Sequence, residues 1–282
     1  MIYDAVIIGK GPAGISCAIY LKRYGYNPLV IGKDGGSLET ASLIDNYYGI
    51  KHITGKELIN IGIEQAEELG IDVKTEEVIN VSFEGQYLIE CSENTYTAKT
   101  LVLATGTSRN RYTKADKFEA VSYCAICDGF FYRKKKIGLI GNGKYMEHEL
   151  NVLKNMCKDI IVFTDGQKLD VELDSNIPVV TSKITDILGD VRINAIVTED
   201  GKYDIEGCFI AIGNASGFTF AKHLGIALDG NKIVVDDGFM TNLPGLFACG
   251  DCVGGLLQVS KAVGDGAICA TSISKYLKSN NL

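Results

Sequence analysis

A chain of 282 residues with 46% hydrophobic content is long enough for two cores and too apolar to be disordered. Its formal net charge of -7 argues against nucleic acid as a default partner. No apolar run approaches a membrane span, and no basic segment precedes the first strand-like run at Tyr3, so a cytoplasmic protein is expected.

Ala5-Val6-Ile7-Ile8 reads as a short buried strand. It runs into Gly9-Lys10-Gly11-Pro12-Ala13-Gly14 and then into a helix through Ile15, Ala18, Ile19 and Leu21. This is G-x-G-x-x-G between a strand and a helix, the context in which it carries meaning. Gly9 permits the tight turn, Gly11 lets a pyrophosphate approach the backbone, and Gly14 lets helix and strand pack closely. Pro28 to Ile31 reads as the second strand, but it ends in Gly32-Lys33-Asp34 where an acid for ribose hydroxyls is expected. Thr54 to Leu69 has the pattern of an amphipathic helix with Leu58, Ile61, Ala66 and Leu69 on its apolar side. Strand-like runs follow at Glu77–Phe83 and Tyr87–Cys91, and Leu101 to Leu103 enters the turn Ala104-Thr105-Gly106.

Arg109 to Phe118 is polar and reads as a linker. Tyr123-Cys124-Ala125-Ile126-Cys127-Asp128-Gly129-Phe130-Phe131 comes next. Two thiols at this spacing can close a small disulfide ring or supply half of a metal site. Asp128 stands where a dithiol site needs a proton carrier, and none of the three histidines (His52, His148, His223) lies near. The run Arg133 to Lys136 reads as a solvated surface segment. A second strand-turn-helix unit starts at Ile137 to Ile140, with the turn Gly141-Asn142-Gly143-Lys144-Tyr145-Met146. Strand-like runs continue at Ile160–Phe163, Val179–Val180, Asn194–Thr198 and Phe209–Gly213. Lys232 to Val235, Gly245 to Asp251 and a helix from about Val259 to Leu277 complete the chain.

The nine cysteines do not form a secreted framework. Cys17, Cys91, Cys157, Cys208 and Cys269 stand singly in apolar surroundings and read as small core residues. Cys249 and Cys252 form a second C-x-x-C around Asp251 and are read as structural thiols, because a metal there would compete with a nucleotide. Two dinucleotide-type units with a cysteine pair between them give an α/β fold of two Rossmann-like dinucleotide-binding domains.

With these motifs the chain resembles, from end to end, the low-molecular-weight, bacterial-type thioredoxin reductases. The resemblance rests on the Gly9–Gly14 turn, Gly35-Gly36, Asp45-Asn46-Tyr47-Tyr48-Gly49 and Ala104-Thr105-Gly106. It also rests on Cys124-Ala125-Ile126-Cys127-Asp128-Gly129-Phe130-Phe131 and Gly250-Asp251. It implies FAD held by a discontinuous three-layer ββα domain, 1–109 and 214–282, with 110–213 inserted as a degenerate NADPH-type domain carrying the cysteines. The FAD-contacting set it implies is Gly9, Gly11, Pro12, Ala13, Gly14, Gly32, Lys33, Gly36, Ser37, Leu38, Asn46, Val78, Ala104, Thr105, Gly106, Gly250, Asp251, Gln258 and Val259. No metal is implied. Cys127 is the flavin-facing sulfur, Cys124 the one that attacks thioredoxin, and Asp128 the acid-base residue. Gly106–Ser108 and Gly213–Asn214 would be hinges of a domain rotation, and a homodimer is expected.

The second nucleotide turn departs from that family. Met146 stands where a small residue belongs, and no arginine lies between Arg133 and Arg192 to receive a 2′-phosphate. Asp165, after the next strand, would repel it. The resemblance is therefore nearest to the ferredoxin-dependent flavin thioredoxin reductases, which lack an NADPH site. The alternatives are an NADH- or NADPH-dependent reductase and an oxygen-dependent dithiol oxidase. A non-catalytic FAD-binding sensor would not need both cysteines and Asp128. An acidic ferredoxin would need basic patches, and two flank the cysteines: Arg109, Arg111, Lys114 and Lys117, and Arg133 to Lys136.

Overall fold

The computed structural model describes residues 1–107, 112–115, 118, 121–190, 193–213, 215 and 217–282. They form two compact units, Met1–Ser108 with Ser216–Leu282, and Arg109–Ala215. Ser108, Arg109, Arg111, Lys117 and Asn214, named above for hinges or charge, lie outside the described residues.

The first unit opens with β1 (Ile2–Ile8), α1 (Pro12–Arg23) and β2 (Pro28–Ile31), then α2 (Gly55–Glu68) and β3 (Asp72–Lys74). β4 (Val78–Phe83), β5 (Tyr87–Cys91) and β6 (Thr95–Leu103) follow. β1 lies between β2 and β6, parallel to both, and its residues Ala5 to Ile8 are all buried, as a parallel strand covered on both faces must be. α2 begins with a capping box: the Thr54 hydroxyl accepts from the Glu57 amide, and the Glu57 carboxylate accepts from the Thr54 amide.

The second unit contains β7 (Val121–Ser122), α3 (Ala125–Asp128), β8 (Lys136–Ile140), α4 (Lys144–Lys154) and β9 (Asp159–Phe163). It continues through β10 (Val179–Val180), β11 (Ile184–Gly189), β12 (Ile193–Thr198), β13 (Gly201–Asp204) and β14 (Cys208–Ile210). The order β10-β9-β8-β14-β7 is a parallel sheet. β11, β12 and β13 form a separate antiparallel sheet.

The chain then returns to the first unit with α5 (Gly217–Leu224), β15 (Leu228–Asp229), β16 (Lys232–Ile233), β17 (Leu246–Ala248) and α6 (Val259–Ser279). One edge of β6 serves two partners in turn: Thr95 to Ala98 pairs antiparallel with β5, and Leu101 to Leu103 pairs parallel with β17. The parallel row β3-β2-β1-β6-β17 is thereby completed by a strand from the end of the chain. α1 packs on α6 over a core of Ala5, Ile7, Cys17, Leu21, Phe247 and Ile273.

Several sequence readings need correction. The segment read as a polar linker buries Tyr112, Ala115 and Phe118 in the core of the second unit. The inner face of α2 is Gly55, Ile59 and Ala66, while Ile61 and Leu69 are exposed. The strand after Lys232 is two residues long, and β11, β13 and α5 had no clear sequence signal. Cys17 and Cys269 are not single: their thiols are hydrogen-bonded, and Cys249 joins them. Cys91 is only half-buried.

Candidate active site

In the first unit, the turn after β1 is held tight by contact with Ala104. Gly9 has φ +118, and a Cβ there would meet the Ala104 carbonyl oxygen at 2.2 Å. At Gly14 a Cβ would meet the Gly9 oxygen at 1.9 Å, so helix and turn touch backbone to backbone. A Cβ on Gly11 would meet nothing within 4 Å: that side of the turn is open. Pro12 opens α1, and no side chain caps its N-terminus, so its first amides face the open side.

The turn from the end of the chain comes to the same place. A Cβ on Gly250 would lie 2.8 Å from that of Ala13. The Gly250 amide donates to Asp265 Oδ2 at 3.1 Å, and Lys261 Nζ donates to the Gly250 oxygen at 2.9 Å and pairs with Asp265 at 2.7 Å. Asp251 Oδ1 is buried without a hydrogen-bond partner, and so is Thr105 Oγ1. Burial pushes the Asp251 carboxyl up, Lys261 nearby pulls it back, and Asp265 pushes it further up. Gln258, at the N-cap of α6, accepts from Asn46 Nδ2 at 2.9 Å, beside Val259.

Gly36, Ser37 and Leu38 form a 3-10 turn packed on α2. A Cβ on Gly32 would press on Lys10, whose ammonium reaches Thr75 at 2.9 Å. Lys33 pairs with Glu77 at 3.2 Å, next to buried Val78. An open glycine turn, an uncapped helix start and orphaned polar atoms on Thr105 and Asp251 fit a bound dinucleotide, which would supply the missing partners.

In the second unit, Cys124 and Cys127 form a disulfide with Cα atoms 5.4 Å apart. Cys124 is the N-cap of α3 and is buried; Cys127 is less so. Ser122 and Glu149, which no sequence motif marks, bond to the backbone beside them. The hydroxyl of buried Ser122 donates to Asp128 Oδ2 at 2.7 Å and accepts from the Cys124 amide at 3.1 Å. Asp128 is thus tied to the first cysteine through a neighbour on β7. On the other side Glu149 of α4, 2% exposed, accepts from the Ala125 amide at 2.6 Å. Burial pushes its carboxyl up to about 7, and the Ala125 amide pulls it partly back. Tyr145 donates to the Tyr123 oxygen at 3.1 Å. Beyond the pair, Ile126, Phe130 and Phe131 are exposed, and the Arg133 guanidinium lies 5.3 Å from the Phe130 ring centre.

The second glycine turn keeps its shape despite Met146, whose side chain is fully buried among Ile137, Leu139, Leu150 and Phe209. Its surroundings are engaged from within. Asn142 donates to the Lys168 oxygen at 2.9 Å, and the Asp170 amide donates to the Asn142 oxygen at 2.9 Å. Asp165, after β9, accepts from the Tyr112 hydroxyl at 2.8 Å, the Ile184 amide at 2.6 Å and Lys114 at 3.0 Å. Lys114 also donates to the Ile184 oxygen, so it is not a free surface charge. Among the described residues no cluster of histidine, cysteine or acid side chains is arranged to hold a metal, and no helix is long and apolar enough to cross a membrane. Burial pushes the Cys252 thiol up to about 12, which makes it unreactive.

The pyridine nucleotide-disulphide oxidoreductase family model matches residues 3–266. The thioredoxin reductase of Ureaplasma parvum is 31% identical, with 99% of this chain and 98% of the relative covered. The atypical thioredoxin reductase of Desulfovibrio vulgaris Hildenborough superposes with a TM-score of 0.89 at 35% identity, covering 98% of each chain. A ferredoxin-flavin thioredoxin reductase of Clostridium acetobutylicum superposes with a TM-score of 0.72 at 30% identity, again over 98% of each. Fold, glycine turns and cysteine pair therefore agree with likeness along the whole chain, and the protein belongs to the low-molecular-weight thioredoxin reductases, FAD-binding members of the pyridine nucleotide-disulphide oxidoreductase family.

Proposed function

We propose that this thioredoxin reductase takes its electrons from a protein, reduced ferredoxin, and passes them by way of FAD and the Cys124–Cys127 pair to thioredoxin. The observation that carries the donor assignment is the state of Asp165, whose carboxylate is bound by Lys114, Tyr112 and the Ile184 amide. It is committed inside its own unit, and a ribose would have to displace Lys114 to reach it. The absence of arginine from Arg133 to Arg192 removes the usual receiver of a 2′-phosphate. The likeness to a clostridial protein named a ferredoxin-flavin thioredoxin reductase supports the same reading.

In this reading the first unit holds FAD. The turn Gly9 to Gly14 and the start of α1 receive the pyrophosphate, and Asp251 and Thr105 offer their unpartnered oxygens to the cofactor. Bound FAD supplies a carrier that accepts electrons from a donor and delivers two to the disulfide. The second unit supplies the exchange chemistry. Cys127, the less buried sulfur, receives the electrons, and Cys124 attacks the thioredoxin disulfide once uncovered. Ser122 aims the Asp128 carboxyl at the pair, where it gives a proton to the departing sulfur. Ile126, Phe130 and Phe131 offer an exposed apolar rim for the protein substrate.

A pyridine nucleotide donor is the second reading, favoured by the intact Gly141–Gly143 turn and the start of α4, which no side chain caps. Anaerobic titration of the flavin separates the two. Reduced ferredoxin should bleach it, and NADPH and NADH should not. Bleaching by either nucleotide at micromolar concentration would overturn the ferredoxin assignment.

A further inference from the structure

The two carboxyls beside the cysteine pair differ in one respect. Asp128 is partly exposed and reaches the pair through the Ser122 hydroxyl. Glu149 is sealed in the core and grips the first amide of the redox helix, one peptide away from the Cys124 sulfur-bearing carbon. A carboxylate anion is costly to hold there, and a thiolate formed beside it makes it costlier. We infer that Glu149 is the proton store of the redox pair: its carboxyl gains a proton when the Cys124–Cys127 bond opens and releases it when the bond re-forms.

A two-electron reductant breaks the sulfur–sulfur bond and leaves two sulfur anions. One is protonated by way of Asp128, and the other stays a thiolate, the form that attacks. Glu149 takes up the second proton, so the buried helix carries the same net charge before and after. When the thiolate attacks a substrate disulfide and the partner sulfur resolves the mixed disulfide, both electrons leave with the substrate. The two protons follow them.

The elements on either side of Glu149 carry titratable groups of their own: Asp128 on α3, Tyr132 just after it, Lys136 on β8, Asp159 on β9, and Lys144, Tyr145, Glu147, His148 and Lys154 on α4 itself. Burial is the largest influence on the Glu149 carboxyl and raises it, and the Ala125 amide lowers it. Glu149 acts through the helix backbone, so it is a positioning residue with a proton to give, not a nucleophile.

The inference rests on Cys124–Cys127 being the redox pair, and the test needs neither the electron donor nor thioredoxin. FAD-loaded protein is equilibrated anaerobically with oxidised and reduced dithiothreitol between pH 7.2 and 8.5, and free thiols are counted after acid quench. Dithiothreitol gives two protons per disulfide over this range. If Glu149 stores one, the parent protein takes nearly two, and its exchange constant should change less than about twofold across this range. Glu149→Gln should take one, and its constant should rise about tenfold per pH unit. Glu149→Asp, which keeps the carboxyl, should follow the parent. A parent constant that itself rises tenfold per pH unit overturns the inference without any variant. So does a Glu149→Gln protein that stays flat. A pair that dithiothreitol never reduces would instead remove the reductase chemistry on which the inference stands.

Discussion

The ammonium of Lys114 spans both carboxylate oxygens of Asp165, at 3.1 and 3.0 Å, across 51 residues of sequence. It ties the segment before the cysteines to the strand end where a nucleotide ribose would be read. Two sequence features that suggested separate functions, a basic docking cluster and an acid that would repel a 2′-phosphate, thereby engage each other.

The pair is half-exposed, so removing Lys114 should cost less than breaking a buried pair, which runs to roughly 3–5 kcal/mol, and more than the roughly 0–1 kcal/mol of a surface pair. We expect Lys114→Ala to lower stability by about 1–2 kcal/mol, measured from the urea midpoint. Calorimetry should still detect no NADPH binding in that variant, because no arginine is gained. Micromolar binding would mean that Lys114 alone blocks the site.

Cys124→Ser should lower thioredoxin reduction by at least ~10³-fold while the flavin remains reducible by its donor. Cys127→Ser should stop transfer from flavin to disulfide. Ser122→Ala and Asp128→Asn should slow exchange together, by about a hundredfold for the acid, because the hydroxyl aims the carboxyl. Stopped-flow thiol release would count against this arrangement if Ser122→Ala kept the parent rate.

Glu149 also writes a pH dependence into stability. Its folded value, near 7, stands above its ordinary 4.5, so the folded state binds the proton more tightly than the unfolded one. Stability from this group is full below about pH 4.5 and is lost as pH rises through 7. The parent should lose about 3 kcal/mol between pH 4.5 and 8.5 on this account, and Glu149→Gln should lose none of it. Urea unfolding of disulfide-intact protein at both pH values measures the difference, and parallel curves would remove Glu149 as the cause.

With Lys114 engaged, the run Arg133 to Lys136 is a basic surface beside the redox pair among the described residues, exposed except at Lys135, where the ammonium leans 5.6 Å from the Tyr132 ring centre. Reversing Lys134, Lys135 and Lys136 to Glu should slow ferredoxin-driven flavin reduction about tenfold at low salt. Dithionite-driven turnover should hold. Added salt should slow the parent more than the variant. Equal ferredoxin rates for parent and variant would place the docking surface elsewhere.

What could be read in advance was local. Gly9, Gly11 and Gly14 answer to one turn, and the Cys124–Asp128 spacing to one short helix. What could not be read was paired over distance: Glu149 lies 24 residues from the amide it grips. No pattern in α4 marks that acid as buried. The supposed linker did carry a signal that its charges obscured. Tyr112, Ala115 and Phe118 recur every third residue, and all three turn inward. The engagement of Asp165 is not legible either, because its partners Tyr112, Lys114 and Ile184 come from two other segments.

The divided edge of β6 has a consequence for how the protein is made. Its second half is completed by β17, which leaves the ribosome only after the whole inserted unit. The Gly250–Asp251 turn and α6 come later still. The inserted unit, contiguous in sequence, can fold as it emerges, while the host waits with Leu101 to Leu103 unpaired on one side. The cysteine pair is therefore built before the flavin site exists. A nascent chain stalled just short of β17 should expose that open strand edge to chaperones while already carrying a folded redox helix.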